Sequence, residues 1–274
     1  MHALSDLFRS IRKPHSKEVF FRSLKWNRQL VFWYADKVVN RSSIIRPLEK
    51  LQQIDDLRKA GNALTFICNH LTYADSHVIE TLLIRSGLGE LANHLIHIAG
   101  QKTYEVYRRF FTRSLNTVRV YQPKAKVVRM FKRKMNARAL KWAAHLKRKG
   151  YSLLVYPEGT RTRRHKQFNL IGANPKTTVY FRNSYVVPLA LMGAEKLMPV
   201  GKWIPRPATV RLHVGEPIQH SFIEQEMRQN DPEKSDLEIR QEAMLYYMKR
   251  INQLLDPEYR DHKHQAIDAT TWGI

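Results

Sequence analysis

Residues 64–75 read Leu-Thr-Phe-Ile-Cys-Asn-His-Leu-Thr-Tyr-Ala-Asp. Its first five residues favour β-structure and follow the breaker pair Gly61-Asn62, which predicts a short buried strand. The strand ends on Asn69 and His70, two polar residues. Open α/β sheets keep their binding and catalytic groups at the carboxyl ends of their strands. The stretch therefore predicts an α/β fold with a site beside His70.

Asp75 follows His70 at a spacing that suits a general base and its orienting carboxylate. Positions five apart on one ideal helix point about 140° away from each other. Contact therefore requires His70 in a turn and Asp75 in the first turn of the next helix. Asp75 would then accept from one ring nitrogen and leave the other to take a proton from a hydroxyl. The alternative is that His70 is a core or capping histidine.

The charge of the chain points to an anionic partner. The 274 residues are 43% hydrophobic, which is enough for a packed core, and they carry a formal net charge of +23. Nucleic acid, an anionic membrane surface and phosphorylated substrates would each match that charge. The single cysteine, Cys68, excludes a disulfide framework and indicates a reducing compartment. We find no signal-peptide pattern and no apolar run long enough to span a bilayer, so we expect a peripheral protein at the cytoplasmic face of a membrane.

Strand-like and helix-like segments alternate along the chain from Gly61. This alternation predicts a mixed, largely parallel sheet flanked by helices. We expect an N-terminal helical segment (1–60), a central domain (61–220) and a C-terminal helical extension with a loose tail (221–274). The predicted strands are 64–68, 95–99, 117–121, 152–156, 186–191 and 209–214, and the helices between them are 75–85, 103–113, 126–149 and 176–183.

Residues 16–51 read as one amphipathic helix that is rich in aromatic and cationic side chains, among them Trp26, Trp33 and Lys37. Such a helix suits the interface of an anionic bilayer. Packing of its aromatic residues on the domain core is the alternative, and both can hold for different faces.

A second motif, Tyr-Pro-Glu-Gly-Thr-Arg at residues 156–161, follows another apolar run. Gly159 tolerates close backbone approach, and Arg161 offers a planar fork that suits a phosphate. Glu158 could hold that fork or bind a substrate hydroxyl. A surface loop with a salt bridge is the alternative interpretation.

The two motifs together resemble the glycerophospholipid acyltransferase family, whose type member acylates lysophosphatidic acid. The resemblance covers residues 61–218 and includes the apolar run around Pro188. It implies the glycerolipid acyltransferase fold, with His70 and Asp75 as the catalytic pair. It further implies oxyanion donors at Gly159 and Lys102, and an acceptor-phosphate site. That site would comprise Glu158, Gly159, Thr160 and Arg161, and weaker candidates are Asn69, Arg119 and Pro188.

This resemblance predicts transfer of a fatty acyl group from a thioester to a lysophospholipid hydroxyl, most simply 1-acyl-glycerol-3-phosphate, giving phosphatidic acid. The donor is acyl-coenzyme A or acyl carrier protein, and no metal or other cofactor is expected. Glycerol-3-phosphate or another lyso-lipid is the alternative acceptor, because Gln122 stands where the family pattern carries an arginine. A nucleic-acid-binding protein is the distant alternative, and it lacks zinc-finger or ribonucleoprotein motifs. A metal site at His94 and His97 is disfavoured, because strand alternation would send the two side chains to opposite faces.

Overall fold

The computed structural model describes residues 18–104, 110–122, 125, 127–162, 167–199, 202 and 204–264, without the side chain of Lys102. Within these residues one sheet runs through the molecule. Its strands are β1 (Phe20–Phe21), β2 (Ile44–Arg46), β3 (Leu64–Cys68), β4 (Leu95–Gly100), β5 (Asn116–Val120), β6 (Ser152–Val155), β7 (Tyr185–Met192), β8 (Arg211–Val214) and β9 (Ile218–Gln219).

The strand order is β1-β5-β4-β6-β3-β7-β8-β2, and β9 pairs with β7. The five central strands from β5 to β7 are parallel to one another. The antiparallel pairs lie toward the edges, where β1 joins β5 and where β8 and β9 join β7. Because the central strands are parallel, their carboxyl ends meet at one edge of the sheet, as the sequence predicts for β3 and β6.

Helices cover the sheet. Helix α1 packs against α3, α5 packs against β5 and β6, and α8 packs against β7. The helices are α1 (Lys25–Val38), α2 (Leu48–Lys59), α3 (Asp75–Arg85), α4 (Gly89–Asn93), α5 (Arg129–Arg148), α6 (Ala194–Leu197), α7 (His220–Asn230) and α8 (Asp236–Leu254).

The core follows from the apolar runs of the central strands. Every residue of β3 and of β6 is buried, and so is β7 after Tyr185. Strands that are covered on both faces need such continuous apolar runs rather than alternation. The mixed, largely parallel sheet flanked by helices is therefore confirmed.

The prediction of one helix over residues 16–51 is wrong. Phe20 and Phe21 pair with Val118 and Thr117 as an edge strand, and helix α1 begins only at Lys25. Helix α1 ends at Val38, and the chain then turns into β2, which pairs with β8. The segment 18–60 thus adds two strands to the sheet, and the helical pattern missed them because long-range pairing decides such short strands.

One other predicted helix differs from the structure. Residues 176–183 form the shorter 3-10 turn Pro175–Tyr180, capped by Asn174. Part of the predicted helix 103–113 lies outside the described residues, as do residues 1–17 and the tail after residue 264. Among the described residues, no helix is long and apolar enough to cross a bilayer.

Candidate active site

His70 and Asp75 are in direct contact. His70 lies in the loop after β3, and Asp75 is the first residue of α3. The His70 Nδ1 and Asp75 Oδ2 atoms are 2.8 Å apart. The buried Asp75 carboxylate also accepts from the backbone amides of Leu71 at 2.6 Å and Thr72 at 3.0 Å. Because a carboxylate can only accept, Nδ1 carries the proton and Nε2 keeps a lone pair.

Tyr156 fixes the other side of the imidazole. Its ring stacks on the ring of His70, with the centroids 4.3 Å apart and the planes inclined by 23°. The Tyr156 hydroxyl lies 3.0 Å from Ser76 Oγ, and burial raises the pKa of Tyr156 well above its ordinary value. The imidazole therefore lies between a carboxylate and a neutral ring. No role was predicted for Tyr156 from the sequence, although its position directly after β6 indicated a residue at the site.

Glu158 supports the loop of His70 and does not contact the fork of Arg161. Its Oε2 atom accepts from the backbone amide of His70 at 3.0 Å. Its Oε1 atom lies 3.4 Å from the hydroxyl of Thr162, whose amide donates to the His70 carbonyl at 2.8 Å. Desolvation raises the pKa of Glu158 to about 7. The structure thus corrects the predicted role of Glu158 in holding the acceptor phosphate.

Gly159 is not arranged as an oxyanion donor. Its backbone amide donates to the Tyr156 carbonyl at 3.0 Å and so closes a tight turn. Its φ of +62° lies in the left-handed region that glycine adopts without steric cost. The Gly159 carbonyl accepts from Gln122 Nε2 at 3.1 Å. The glycine is therefore required by the turn, which corrects the predicted oxyanion role.

Arg161 lies over an aromatic ring beside the base. Its guanidinium carbon is 3.6 Å from the centroid of Tyr73, a residue of the loop between His70 and Asp75. This cation–π contact holds the positive charge at the site. Thr160 is exposed beside it and lines the same cavity. No role was predicted for Tyr73, although the sequence places this aromatic residue between His70 and Asp75.

One cavity of about 820 Å³ joins these groups. His70, Tyr73, Tyr156 and Arg161 lie in its wall, which brings the two motifs together as predicted. The volume falls in the range of small-molecule sites, roughly 300–1,000 Å³. Apolar side chains from α1, α5 and the central strands supply much of the remaining wall, among them Val31, Ala35, Val38, Ile98, Val120, Leu140 and Val155. Lys132, Lys176 and Arg240 add cationic groups to the lining.

The three weaker candidates have structural contacts. Asn69 is buried, and its amide exchanges two hydrogen bonds with the backbone of Leu191, at 2.8 and 2.7 Å. Pro188 is buried in β7, and its carbonyl accepts from the Gly215 amide at 2.8 Å. Buried Arg119 donates to the Glu18 carbonyl at 2.5 Å and lies near the rings of Phe21, Tyr104 and Tyr121. These contacts hold the sheet together, which corrects their predicted place in the site.

The predicted cation Lys102 is described only through its backbone. The backbone of Lys102 lies in the 3-10 turn Gln101–Tyr104 directly after β4, and its side chain lies outside the described residues. Residues 163–166, which include further cations after Arg161, also lie outside them. Within the described part of the chain, no group of three or more histidine, cysteine, aspartate or glutamate side chains is placed to hold a metal ion.

No curated protein matches the chain. Seven chains of solved structures match. Among them is the crystal structure of the 1-acyl-sn-glycerophosphate (LPA) acyltransferase, PlsC, from Thermotoga maritima. It has 17% sequence identity and a TM-score of 0.47, and the match covers 92% of this chain and 88% of that chain. The model of the acyltransferase family matches residues 49–192, more than half of the sequence and all of both motifs. The chain therefore belongs to the acyltransferase family.

Proposed function

We propose that this chain transfers a fatty acyl group from an acyl thioester to a hydroxyl of a lysophospholipid. The acceptor that we propose is 1-acyl-glycerol-3-phosphate, which gives phosphatidic acid. One observation carries the proposal: His70, whose Nδ1 atom contacts Asp75 at 2.8 Å, lines the same cavity as Arg161. A base for a hydroxyl and a cation for a phosphate are thus available to one molecule.

The reaction follows from the tautomer of His70. Its Nε2 lone pair takes the proton of the acceptor hydroxyl, and the oxygen attacks the carbonyl carbon of the thioester. The tetrahedral intermediate collapses with cleavage of the carbon–sulfur bond, and the imidazolium returns the proton to the departing thiolate. Asp75 stabilises the imidazolium while it exists. The acceptor itself is the nucleophile, so no acyl-enzyme and no cofactor is required.

The polar groups of the cavity wall support a phosphorylated acceptor. Arg161 offers paired donors to a phosphate, and Lys132 and Lys176 add positive charge. Gln122, in place of the arginine of the family pattern, donates to the Gly159 carbonyl at 3.1 Å and fixes the turn before Arg161. Since Gly159 uses its amide in that turn, we retain Lys102 as the proposed oxyanion donor.

We further propose that the protein works at an anionic membrane surface. Trp26, Leu30, Trp33 and Lys37 form one exposed stripe on α1, while Val31, Ala35 and Val38 of the same helix line the cavity. An apolar and cationic stripe suits a bilayer interface, and it lies on the helix whose other face lines the cavity. The net charge of +23 supports the same partner.

The test is a thiol-release assay. The purified protein is offered acyl-coenzyme A and acyl carrier protein donors, each with 1-acyl-glycerol-3-phosphate, glycerol-3-phosphate and neutral lyso-lipids. We expect thiol release that depends on the phosphorylated lyso-lipid, with phosphatidic acid as the product. Release with glycerol-3-phosphate alone would select the alternative acceptor. Absence of release with every acceptor would contradict the proposal.

A further inference from the structure

The cavity passes over the carboxyl edge of the sheet. Four consecutive residues, 97–100 of β4, line it. Neighbouring residues of a strand point to opposite faces of the sheet, so these four cannot line a cavity that lies on one face only. His70, which follows β3 at the same edge, lines it as well. The cavity therefore has one arm on each face of the sheet, and the two arms join beside His70.

One arm lies on the face that helix α3 covers. His97 Nε2 lies 2.6 Å from Glu80 Oε1 of α3, so the side chain of His97 points to that face. Helix α1, which packs against α3, lines the same arm with Val31, Ala35 and Val38. Among the described residues, this α3 arm has no aspartate, glutamate, lysine or arginine side chain in its wall. An apolar wall of this kind suits a chain of methylene groups.

The other arm lies on the face that helix α5 covers. Thr65 Oγ1 donates to the Tyr180 carbonyl at 3.3 Å, and Thr65 is level with the residues of β6 and β4 that share a face with Ile98. The Nζ atom of Lys147, in α5, donates to the same Tyr180 carbonyl at 3.0 Å. Helix α5 and the 3-10 turn Pro175–Tyr180 therefore lie together on this face, and they line the second arm, the α5 arm.

Positive charge is concentrated in the α5 arm. Its wall contains Lys132 of α5, Lys176 of the 3-10 turn and Arg240 of α8, the helix that packs against this turn. With Arg161 at the junction, four cations line the cavity, and no aspartate or glutamate side chain among the described residues does. An acceptor phosphate carries about two negative charges at most, so these cations can bind a further anion.

We propose that the acyl donor lies across this edge, with its acyl chain in the α3 arm and its carrier in the α5 arm, where Lys132, Lys176 and Arg240 bind the phosphates of a nucleotide carrier of the coenzyme A type. The inference rests on the proposed function for the identity of the reaction. A thioester has its carbonyl between an apolar chain and a polar carrier, and the two arms differ in the same way. The carbonyl then lies at the junction beside His70, where the acceptor hydroxyl has to meet it.

The charge also favours a nucleotide over a carrier protein as the source of these phosphates. Coenzyme A carries more phosphate groups than the phosphopantetheine arm of a carrier protein, and it can bring them all into the cavity. Paired donors on arginine and the ammonium groups of lysine bind such groups through charge-assisted hydrogen bonds.

Binding of the unacylated carrier tests the inference without catalysis. Coenzyme A, phosphopantetheine and pantetheine are titrated into the full-length protein by calorimetry. We expect coenzyme A to bind at least about tenfold more tightly than pantetheine, with a difference that shrinks as salt rises. Equal binding of coenzyme A and pantetheine would overturn the inference. Binding of acyl carrier protein without binding of coenzyme A would also overturn it, because the cations would then serve a protein partner.

Variants identify the cations responsible. Lys176→Ala and Arg240→Ala should each weaken the binding of coenzyme A by about tenfold and leave the binding of pantetheine unchanged. Lys134→Ala is the matched control, because Lys134 is an exposed cation of α5 that does not line the cavity. A merely structural role would alter both ligands alike. Unchanged binding of coenzyme A in both variants would overturn the assignment.

A second pair of variants tests the orientation of the donor. Ala35→Leu narrows the α3 arm from α1, and Ala137→Leu narrows the α5 arm from α5. The ligands are octyl and octadecyl thioethers of coenzyme A, which cannot transfer their chains. Ala35→Leu, or the milder Ala35→Val, should weaken the octadecyl thioether relative to the octyl one, whereas Ala137→Leu should keep the wild-type ratio. The reverse pattern would overturn the proposed orientation.

These measurements separate the inference from the proposed function. If coenzyme A binds through these cations and no thioester is turned over with any acceptor, the acyl-transfer proposal fails while the nucleotide site stands. If thioesters are turned over and coenzyme A binds no more tightly than pantetheine, acyl transfer stands and the nucleotide site fails.

Discussion

The Oε2 atom of Glu158 accepts a hydrogen bond from the backbone amide of His70 at 3.0 Å, so the second motif holds the loop that carries the base. The His70 carbonyl is held from the same side by the Thr162 amide, at 2.8 Å. One loop that is distant in the sequence therefore supports His70 through both of its backbone polar groups. This arrangement leaves the imidazole itself to Asp75 and Tyr156.

Glu158 should make stability depend on pH. Its pKa is raised by desolvation to about 7 in the folded protein, against an ordinary value of 4.5. The folded state therefore holds this proton at pH values where the unfolded chain has released it. The contribution is fully present below pH 4.5 and is lost as the pH rises toward 7. Because Glu158 is partly exposed, we expect a loss on the order of 2 kcal/mol across that window.

Urea unfolding of the wild type and Glu158→Gln at several pH values between 4 and 8 measures this contribution. Glutamine cannot ionise, so the difference in unfolding free energy between the two proteins should shift in favour of the variant as the pH rises. Glu233→Gln, at an exposed position, is the control and should show no such shift. A constant difference between Glu158→Gln and the wild type would show that Glu158 ionises normally.

His70→Ala should abolish acyl transfer, and Asp75→Asn should lower kcat by about 10²–10⁴-fold. The alanine removes the base. The asparagine no longer fixes the Nδ1 tautomer, and it loses one of the three hydrogen bonds that the carboxylate accepts. Turnover is measured by thiol release, and circular dichroism checks the fold. His94→Ala, at a half-buried turn position outside the cavity, should keep full turnover. Substantial turnover by His70→Ala would remove His70 from the role of base.

Arg161→Ala should raise the apparent KM for the phosphorylated acceptor by about tenfold or more, with a smaller effect on the KM for the thioester. The reason is that the guanidinium of Arg161 lies in the cavity wall with His70 and offers paired hydrogen-bond donors to a phosphate. Tyr73→Leu removes the ring that holds this cation at 3.6 Å, and it should change the same constant in the same direction but less. Arg182→Ala, which alters an exposed cation outside the cavity, is the control. An effect confined to the thioester KM would contradict phosphate binding at Arg161.

The sequence predicted the central sheet because the strands that build it are continuous apolar runs. For β3 the predicted and observed bounds agree, and His70 and Asp75 lie in the turn and the first helical residue that their contact requires. The edge strands β1 and β2 escaped prediction, since two or three residues carry too little pattern and depend on partners far along the chain.

Individual roles at the site were harder to predict for a related reason. Glu158 and Gly159 have the residue types of a binding loop, and only the three-dimensional structure shows that their polar groups are used within the protein. Asn69 is a similar case, because its amide pairs with a strand more than a hundred residues later. Spacing within one loop is local information, whereas hydrogen-bond partners from other strands are not.

The stripe on α1 should carry the protein to anionic vesicles. Trp33 is 61% exposed and Leu30 is 50% exposed on the helix whose opposite face encloses the cavity. Burial of either side chain in the bilayer interface would contribute roughly 1.5–3 kcal/mol, so Trp33→Ala and Leu30→Ala should each weaken vesicle binding by about tenfold or more. Phe222→Ala is the matched control, since Phe222 is 63% exposed on α7 and its replacement should affect vesicle binding little.

Co-sedimentation with anionic and neutral vesicles measures the binding, which should weaken as salt screens the lipid headgroups. Two results together would instead favour nucleic acid as the anionic partner. Vesicle binding would be abolished by added duplex or single-stranded nucleic acid, and both α1 variants would still bind vesicles.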